Sequence, residues 1–304
     1  MDKEYPSYRN LIESGELAHR AEKAFNALES CALCPHECGV NRLKGEKGFC
    51  KIGNQALVAS YGAHFGEERP LVGRNGSGTI FFSGCNMRCV YCQNYDISHE
   101  GVGNPVTPEI LAFFFFELQE QGCHNINLVT PSHVVPFFLK ALAIAVPEGL
   151  KIPIVYNTSG YDSVETLKLL DGIVDIYMPD FKYWDPQIGK KLSKVKDYPG
   201  AARRALKEMH RQVGDLVIDD NGIAIRGLLV RHLVLPGGLA STPEVVQFIA
   251  KEISKDTYIN IMDQYRPCGL AYKYPPLDRR ITPEEYQQAL QAARDAGLWR
   301  FDRG

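Results

Sequence analysis

Six short, β-branched-rich runs alternating with helical segments after Thr79 predict an α/β chain built as a partial (β/α)6 TIM-like barrel with an N-terminal Cys-rich extension. The runs are TIFFSG, NINLVT, IPIVYNTS, IVDIYMPDF, LLVRHLVLP and TYINIMDQY. Each is apolar enough to be buried on both faces, as parallel strands are. A closed eightfold barrel needs ~250 residues for its eight units, and only six follow Thr79. Five of the runs end in polar clusters, at the place where a parallel barrel gathers its chemistry.

Taken in order, residues 8–29 predict an amphipathic helix, with Leu11, Leu17, Ala21, Ala24 and Leu28 near helical spacing. A Cys- and Gly-rich segment from Cys31 to Gly53 follows, then a strand-like ALVASYGAHFG and a loop, VGRNGSG. Thr107-Pro108-Glu109 predicts a helix start, with Thr as cap and Pro at the first position. Phe113 to Phe116 on that helix are explained by packing against both sheet and helices. VVPFFLKALAIAV, SVETLKLL and PEVVQFIAKEI are the next helical runs, with a long helical and irregular stretch from Asp185 to Val213. Asp220-Asn221-Gly222 predicts a hairpin turn. The domain division expected is residues 1–75 as helix plus Cys-rich metal-binding segment, and 76–304 as barrel closed by a helix from Pro283.

Composition narrows the class. The 304 residues are 45% hydrophobic and 23% charged with a formal net charge of −2, ordinary for a globular protein and without the basic excess of a nucleic-acid binder. No apolar run approaches the ~18 residues of a membrane span, and MDKEYPSYRN lacks a signal-peptide core, so a cytoplasmic location is expected. In that setting nine cysteines, seven of them in two tight groups, point to metal ligation rather than disulfides.

The group that decides the chemistry is GCNMRCVYCQN, with Cys85, Cys89 and Cys92 spaced C-x3-C-x2-C. A cubane 4Fe–4S cluster normally takes four thiolates, so three leave one iron open to a small molecule. A three-thiolate zinc site or a buried thiol cluster is the plainer alternative. With Tyr91 before the last cysteine, the motif resembles that of the radical S-adenosylmethionine (SAM) superfamily. The longer stretch CVYCQNYD, with Asn94 two residues after the third cysteine, resembles the pyruvate formate-lyase-activating enzymes. This resemblance implies that SAM chelates the open iron and is cleaved by one electron to a 5′-deoxyadenosyl radical that abstracts hydrogen from substrate. It also implies the partial barrel fold and an electron donor such as flavodoxin or ferredoxin.

The strand ends extend the resemblance. YNTSGYD is similar to that family's Asp-Thr-Asn-Gly strand end, with Asn157 in the Asp place and Thr158 matching. MPDFK is similar to its Met-Leu-Asp-Leu-Lys, matching Met178, Asp180 and Lys182. There the corresponding groups surround a monovalent cation beside SAM; Asn157 removes one negative charge from that arrangement. RHLVLPG places Arg231 where a SAM-contacting Arg lies, a charge-assisted partner for carboxylate or ribose. The family's Gly-Gly-Glu run is replaced by TPSH, so Thr130 and Ser132 would supply the acceptors for the SAM amino group, and His133 faces either substrate or core. Tyr91 is expected against the adenine.

The second cysteine group, Cys31, Cys34, Cys38 and Cys50, has the spacing C-x2-C-x3-C-x11-C among Gly-rich turns. Four thiolates suit zinc and a second 4Fe–4S cluster alike. A similar segment occurs in radical SAM proteins related to the activating enzymes. The function this implies is oxidoreductase-type: SAM cleavage and hydrogen abstraction, with activation of a glycyl-radical enzyme as first case. A peptide, RNA or small-metabolite substrate stays open, and so does an iron–sulfur electron carrier. A six-strand barrel leaves its mouth open laterally for a protein segment, near Asp263 and Arg266.

Overall fold

The computed structural model of the chain describes residues 5–302. Its strands are β1 (Ala56–His64), β2 (Ser77–Phe82), β3 (Asn104–Val106), β4 (Ile126–Val129), β5 (Ile154–Thr158), β6 (Ile176–Pro179), β7 (Val217–Ile218), β8 (Ala224–Leu233) and β9 (Tyr258–Met262). The helices are α1 (Glu16–Asn26), α2 (Arg69–Val72), α3 (Pro108–Glu120), α4 (Val135–Ala145), α5 (Val164–Lys168), α6 (Pro186–Ser193), α7 (Tyr198–Val213), α8 (Thr242–Phe248) and α9 (Pro283–Asp295).

The six expected strands form one parallel series, β2-β4-β5-β6-β8-β9. Among the described residues the series does not close into a ring: β1 lies antiparallel on β2, β3 lies on β1, and β9 stands at the other end. The fold is thus the partial α/β barrel that six units predict. The ALVASYGAHFG run is not a preliminary to the barrel but part of its sheet, covering the free edge of β2.

Local chemistry sets the helix starts. The Thr107 hydroxyl accepts from the Ile110 amide and Pro108 opens α3; Thr282 and Glu285 form a reciprocal capping box at α9. α4 is apolar but for Lys140, because Phe137, Phe138, Leu139 and Leu142 are all buried between the sheet, α1 and α3. The four phenylalanines of α3 divide: Phe115 is buried, Phe114 stacks on Tyr61 at 3.9 Å, and Phe113 is exposed. The Asp220-Asn221-Gly222 turn joins β7 and β8, with the Asp219 carboxylate accepting from the amides of Asn221 and Ile223.

Three boundaries differ from the sequence pattern. Residues 8–29 do not make one helix, because Gly15 takes a left-handed φ of 69° and separates a 3-10 turn (Ser7–Leu11) from α1. α8 passes into a π-helical turn at Ile249–Ile253, and β8 begins at Ala224, earlier than its apolar run.

The N-terminal turn is anchored beneath the barrel. The Tyr8 hydroxyl donates to the Ile152 carbonyl (2.8 Å), and the Ser7 amide donates to Asp175 Oδ1 (2.9 Å) at the start of β6. Asp175 Oδ2 is buried with no partner among the described residues, and burial pushes this carboxyl up to about 6. A carboxyl raised in the fold favours the folded state at low pH. Its contribution is fully present below about pH 4 and lost as pH rises through about 6, a difference of about 3 kcal/mol. Asp175→Asn keeps an oxygen for the Ser7 amide and removes the titration. The stability of this variant relative to the parent, from urea unfolding, is expected to grow by about that amount between pH 4 and pH 7; a pH-independent difference would contradict the assignment.

Candidate functional site

The cysteine loop leaves β2 through Gly84, whose φ of 76° and close approach admit no side chain: a Cβ there would lie 2.6 Å from the Cys50 carbonyl oxygen. The amides of Arg88 and Val90 donate to the carbonyls of Ser193 and Leu192, pinning the loop to the end of α6. Each sulfur has a polar neighbour. The Met87 amide donates to Cys85 Sγ (3.3 Å), the Ser98 hydroxyl donates to Cys92 Sγ (3.1 Å), and Cys89 Sγ lies 3.0 Å from Ser193 Oγ. Burial pushes the Cys85 and Cys89 thiols up; at Cys89 the Lys182 ammonium pulls in the opposite direction.

Beside the loop lies a cavity of about 420 Å³, within the range of small-molecule sites. Cys89, Tyr91, Cys92 and Asn94 line it from the loop, and Asn157, Asp180, Lys182 and Arg231 from the ends of β5, β6 and β8. Eight of the predicted site residues therefore converge on one space, with Cys85 next to it. A slightly larger cleft, about 480 Å³, opens between α1 and α5, but surface ion pairs such as Arg20–Glu16 and Lys168–Glu165 line it, and no strand end reaches it.

The cavity wall is organised by one carboxylate. Arg231 Nε donates to Asp180 Oδ1 (2.8 Å), Lys182 Nζ donates to Asp180 Oδ2 (2.6 Å), and Arg231 Nη2 donates to Asn157 Oδ1 (2.8 Å). Burial pushes the Asp180 carboxyl up, but the two cations more than offset it and hold it below the usual range. Burial likewise opposes the charge of Lys182, and Asp180 reverses this, leaving the ammonium raised. Both oxygens of Asp180 and the oxygen of Asn157 thus face fixed side-chain cations, in the place where the resemblance implies a monovalent cation.

Other predicted residues lie outside the cavity lining. Ser132 and Thr158 are buried behind it, and both hydroxyls donate to Asp162 at 2.6 Å, where the Tyr156 hydroxyl also donates at 3.0 Å. Thr130 is half-buried at the end of β4 with φ of 59°, uncommon for a β-branched residue. His133 belongs to the core: its Nε2 lies 2.9 Å from the Ser83 carbonyl, and burial holds it down at about 4. Tyr91, one of the lining residues, is held in an aromatic cluster behind the cavity, its hydroxyl 2.5 Å from that of Tyr183 and its ring edge-on to Tyr265. Asp263 and Arg266 form no ion pair with each other among the described residues, and neither lines the cavity.

The N-terminal cysteines pack against the same loop. His36 Nε2 lies 2.9 Å from the Asn86 carbonyl, and its ring stacks on Phe49 at 3.8 Å. Cys31, Cys34 and Cys50 are buried; burial pushes the Cys34 thiol up, and the three neighbouring thiols add to it. Arg42, 1% exposed, donates to the carbonyls of Gly53 and His133 and sits 3.9 Å from Cys31 Sγ, with its Nη2 unpartnered. Among the described residues, no three His, Cys, Asp or Glu side chains are gathered as tightly as one metal ion requires.

Sequence patterns did not single out His64, Glu67 and Glu68 at the end of β1, nor Asp162 behind β5. His64 and Glu67 line the cavity. Only the HFGEER run, with charge at a strand end, carried a signal for them.

Comparison with known proteins agrees with this geometry. The Radical SAM superfamily model matches residues 79–234. An uncharacterized protein of Methanocaldococcus jannaschii is 36% identical over 287 residues, spanning 92% of this chain and 78% of its own length. The chain belongs to the radical SAM superfamily, a family of enzymes whose membership implies a 4Fe–4S cluster and SAM. Among solved structures, a radical SAM methyltransferase from Sphaerobacter thermophilus is similar at a TM-score of 0.48 and 16% identity, over 74% of this chain and 67% of that one. A domain of a pyruvate-formate lyase-activating enzyme from Bacteroides vulgatus gives 0.36 and 14%, over 63% and 88%. Both likenesses are too loose to add to the family assignment. No described helix is long and apolar enough to cross a membrane.

Asp180→Asn tests the organisation of the wall. It leaves the mostly buried Arg231 and Lys182 without their shared anion, so a loss of about 3 kcal/mol is expected. A melting temperature within a degree of the parent would show that the triad does not support the fold.

Proposed function

We propose that Cys85, Cys89 and Cys92 hold the 4Fe–4S cluster and leave one iron to SAM, and that the 420 Å³ cavity beside them receives SAM and part of the substrate. The observation that carries this reading is the convergence of the loop and the strand-end residues Asn157, Asp180, Lys182 and Arg231 on one space. The donors that surround the three sulfurs suit metal-bound thiolates, because hydrogen bonds to sulfur stabilise the anionic ligand. The cluster, when bound, supplies the electron for reductive cleavage of SAM and so the power to abstract hydrogen.

The chain's own residues bind and orient. Arg231 and Lys182 present fixed positive charge for a carboxylate, held in place by Asp180 rather than free to follow the ligand. Tyr91, locked by Tyr183 and Tyr265, offers an apolar face, and Asn94 an amide at the rim. Ser132 and Thr158 act from behind: with both protons committed to Asp162, they hold the ends of β4 and β5 in register. Thr130, at the same strand end, shapes the backbone there through its left-handed φ.

The N-terminal portion, residues 1–75 in the division from the barrel at 76–304, holds a separate metal centre on Cys31, Cys34, Cys38 and Cys50. Arg42 supports this. A guanidinium buried beside thiols without a carboxylate partner is costly unless an anion faces it, and four metal-bound thiolates provide that anion for zinc and for a second 4Fe–4S cluster alike. For substrate, the strand-end resemblances favour a glycyl-radical protein, with flavodoxin or ferredoxin as electron source and the cytoplasm as location.

The test is anaerobic reconstitution with iron, sulfide, SAM and a strong reductant, followed by assay for 5′-deoxyadenosine. Replacing any one of Cys85, Cys89 and Cys92 with Ala is expected to abolish the product without unfolding the barrel. Product from the triple variant would overturn the cluster assignment. Metal analysis of that triple variant isolates the second centre: about one zinc or about four irons is expected. Neither, in protein purified without oxygen, would remove the N-terminal centre.

A further inference from the structure

The connection from β1 to β2 brings an unexpected pair into the cavity. His64 stands in register with Ser77, at the start of β2, whereas Cys85 follows the end of that strand. The connection therefore reaches the cavity from the side away from the cysteines. His64 Nδ1 lies 2.9 Å from Glu67 Oε1, and the His64 ring meets Phe81 edge-on at 5.9 Å. The next residue, Glu68, crosses the seam of the barrel: its Oε1 accepts from Asn260 on β9 (3.0 Å) and faces Arg231 at 4.0 Å. This fixes Glu67 where its side chain is only 8% exposed.

The charged groups in this space are not equally paired. Three carboxylates, Asp180, Glu67 and Glu68, face two fixed cations, Arg231 and Lys182. Asp180 takes hydrogen bonds from both cations. Glu68 is bonded to Asn260, and burial favours its neutral form. Glu67 Oε2 lies 3.7 Å from Arg231 Nη1, beyond hydrogen-bond distance, while Arg231 spends its other donors on Asp180 and Asn157. Glu67 is thus the cavity-lining carboxylate that no fixed cation hydrogen-bonds among the described residues, Arg231 facing it only as a looser ion pair at 3.7 Å. Its imidazole partner is half-exposed, so the pair is held at Glu67 and open to the cavity at His64.

We propose that His64 and Glu67 form the substrate-side subsite of this cavity and take a cationic group, an ammonium or guanidinium, carried by the substrate. The proposal rests on the reading that SAM occupies the cysteine side. SAM also carries an ammonium, so the cofactor is the competing source of this chemistry. Exposed Phe65, between the two residues, gives the rim an apolar flank for the stem of such a side chain.

The experiment uses the full chain, reconstituted and loaded with SAM, titrated with n-butylguanidinium chloride in a calorimeter and with sodium butyrate as the anionic control. The parent is expected to bind n-butylguanidinium and not butyrate. Glu67→Gln is expected to weaken the cation about tenfold, in line with loss of a charge-assisted contact. His64→Gln, at a half-exposed position that tolerates change, is expected to weaken it by a smaller factor. Equal cation affinity in the parent and both variants would overturn the proposal, and so would no binding to the parent. Competition between SAM and n-butylguanidinium for one site, or a parallel loss of SAM affinity in Glu67→Gln, would also overturn it and assign the pair to the cofactor. Failure of the functional reading itself shows separately, as absence of 5′-deoxyadenosine in the parent.

Discussion

The Asp180 carboxylate, clamped between Arg231 and Lys182, is the contact on which the rest of the site depends. β6 and β8 run parallel only from Ile176 to Tyr177 on the β6 side, then separate, and a lone bridge joins Asp180 to Arg231 beyond that point. At such a widening the strand ends would drift apart without a strong side-chain link. The carboxylate provides one, and Asn157 extends it to β5 through Arg231. Gly160 lets the next turn come close: a Cβ there would stand 2.4 Å from the Asp180 carbonyl. Burial makes this arrangement an all-or-none choice, because each charge is tolerable only while the others are present. Three strand ends are thereby held to one geometry before any ligand arrives, which is the preorganisation that a charged cofactor needs.

The Cys31–Cys50 segment is joined to the rest of the chain at points where sequence separation is large. Arg42 bonds His133 across 91 residues, His36 meets Asn86, and the Cys50 carbonyl lies against Gly84. Two of these contacts, at Asn86 and Gly84, fall on the loop that carries the three cysteines. Whatever sets the conformation of the Cys31–Cys50 segment therefore sets the backbone from which Cys85 projects. A metal centre there would act on the cysteine loop through packing, without touching the cavity.

Much of this was legible in the chain. The alternation of apolar runs and helices gave the six parallel strands, because burial on both faces writes itself as continuous β-branched sequence. C-x3-C-x2-C and the polar strand ends marked the cavity, since parallel strands bring their carboxyl ends together whatever else varies. What was hidden depends on non-local contact. Ser132 and Thr158 read as cofactor-facing hydroxyls, and nothing in their spacing says that Asp162 takes both protons. His133 sits in a strand-end cluster that looks functional, yet the turn that follows carries it into the core against Ser83. His64 and Glu67 lie before the barrel begins, and only the antiparallel pairing of β1 with β2, followed by the crossing at Glu68, places them in its interior. The helix expected over 8–29 breaks at Gly15, a residue that periodicity counts as neutral but whose left-handed backbone ends the turn.

The short strand β3 has a consequence for how this molecule coexists with its own copies. An open parallel sheet exposes unpaired amide and carbonyl groups along its outer strand, a template for joining sheet to sheet. Beside Ala56–Val58 of β1, that outer position is given to three residues, Asn104, Pro105 and Val106, of which the first two are exposed and the middle one has no amide to donate. The long, apolar β2 lies two strands inward, beyond reach of a neighbouring chain. At that corner the unclosed barrel ends in brevity and a proline, and loss of the segment that carries β1 and β3 would leave the apolar β2 as an unpaired, aggregation-prone edge.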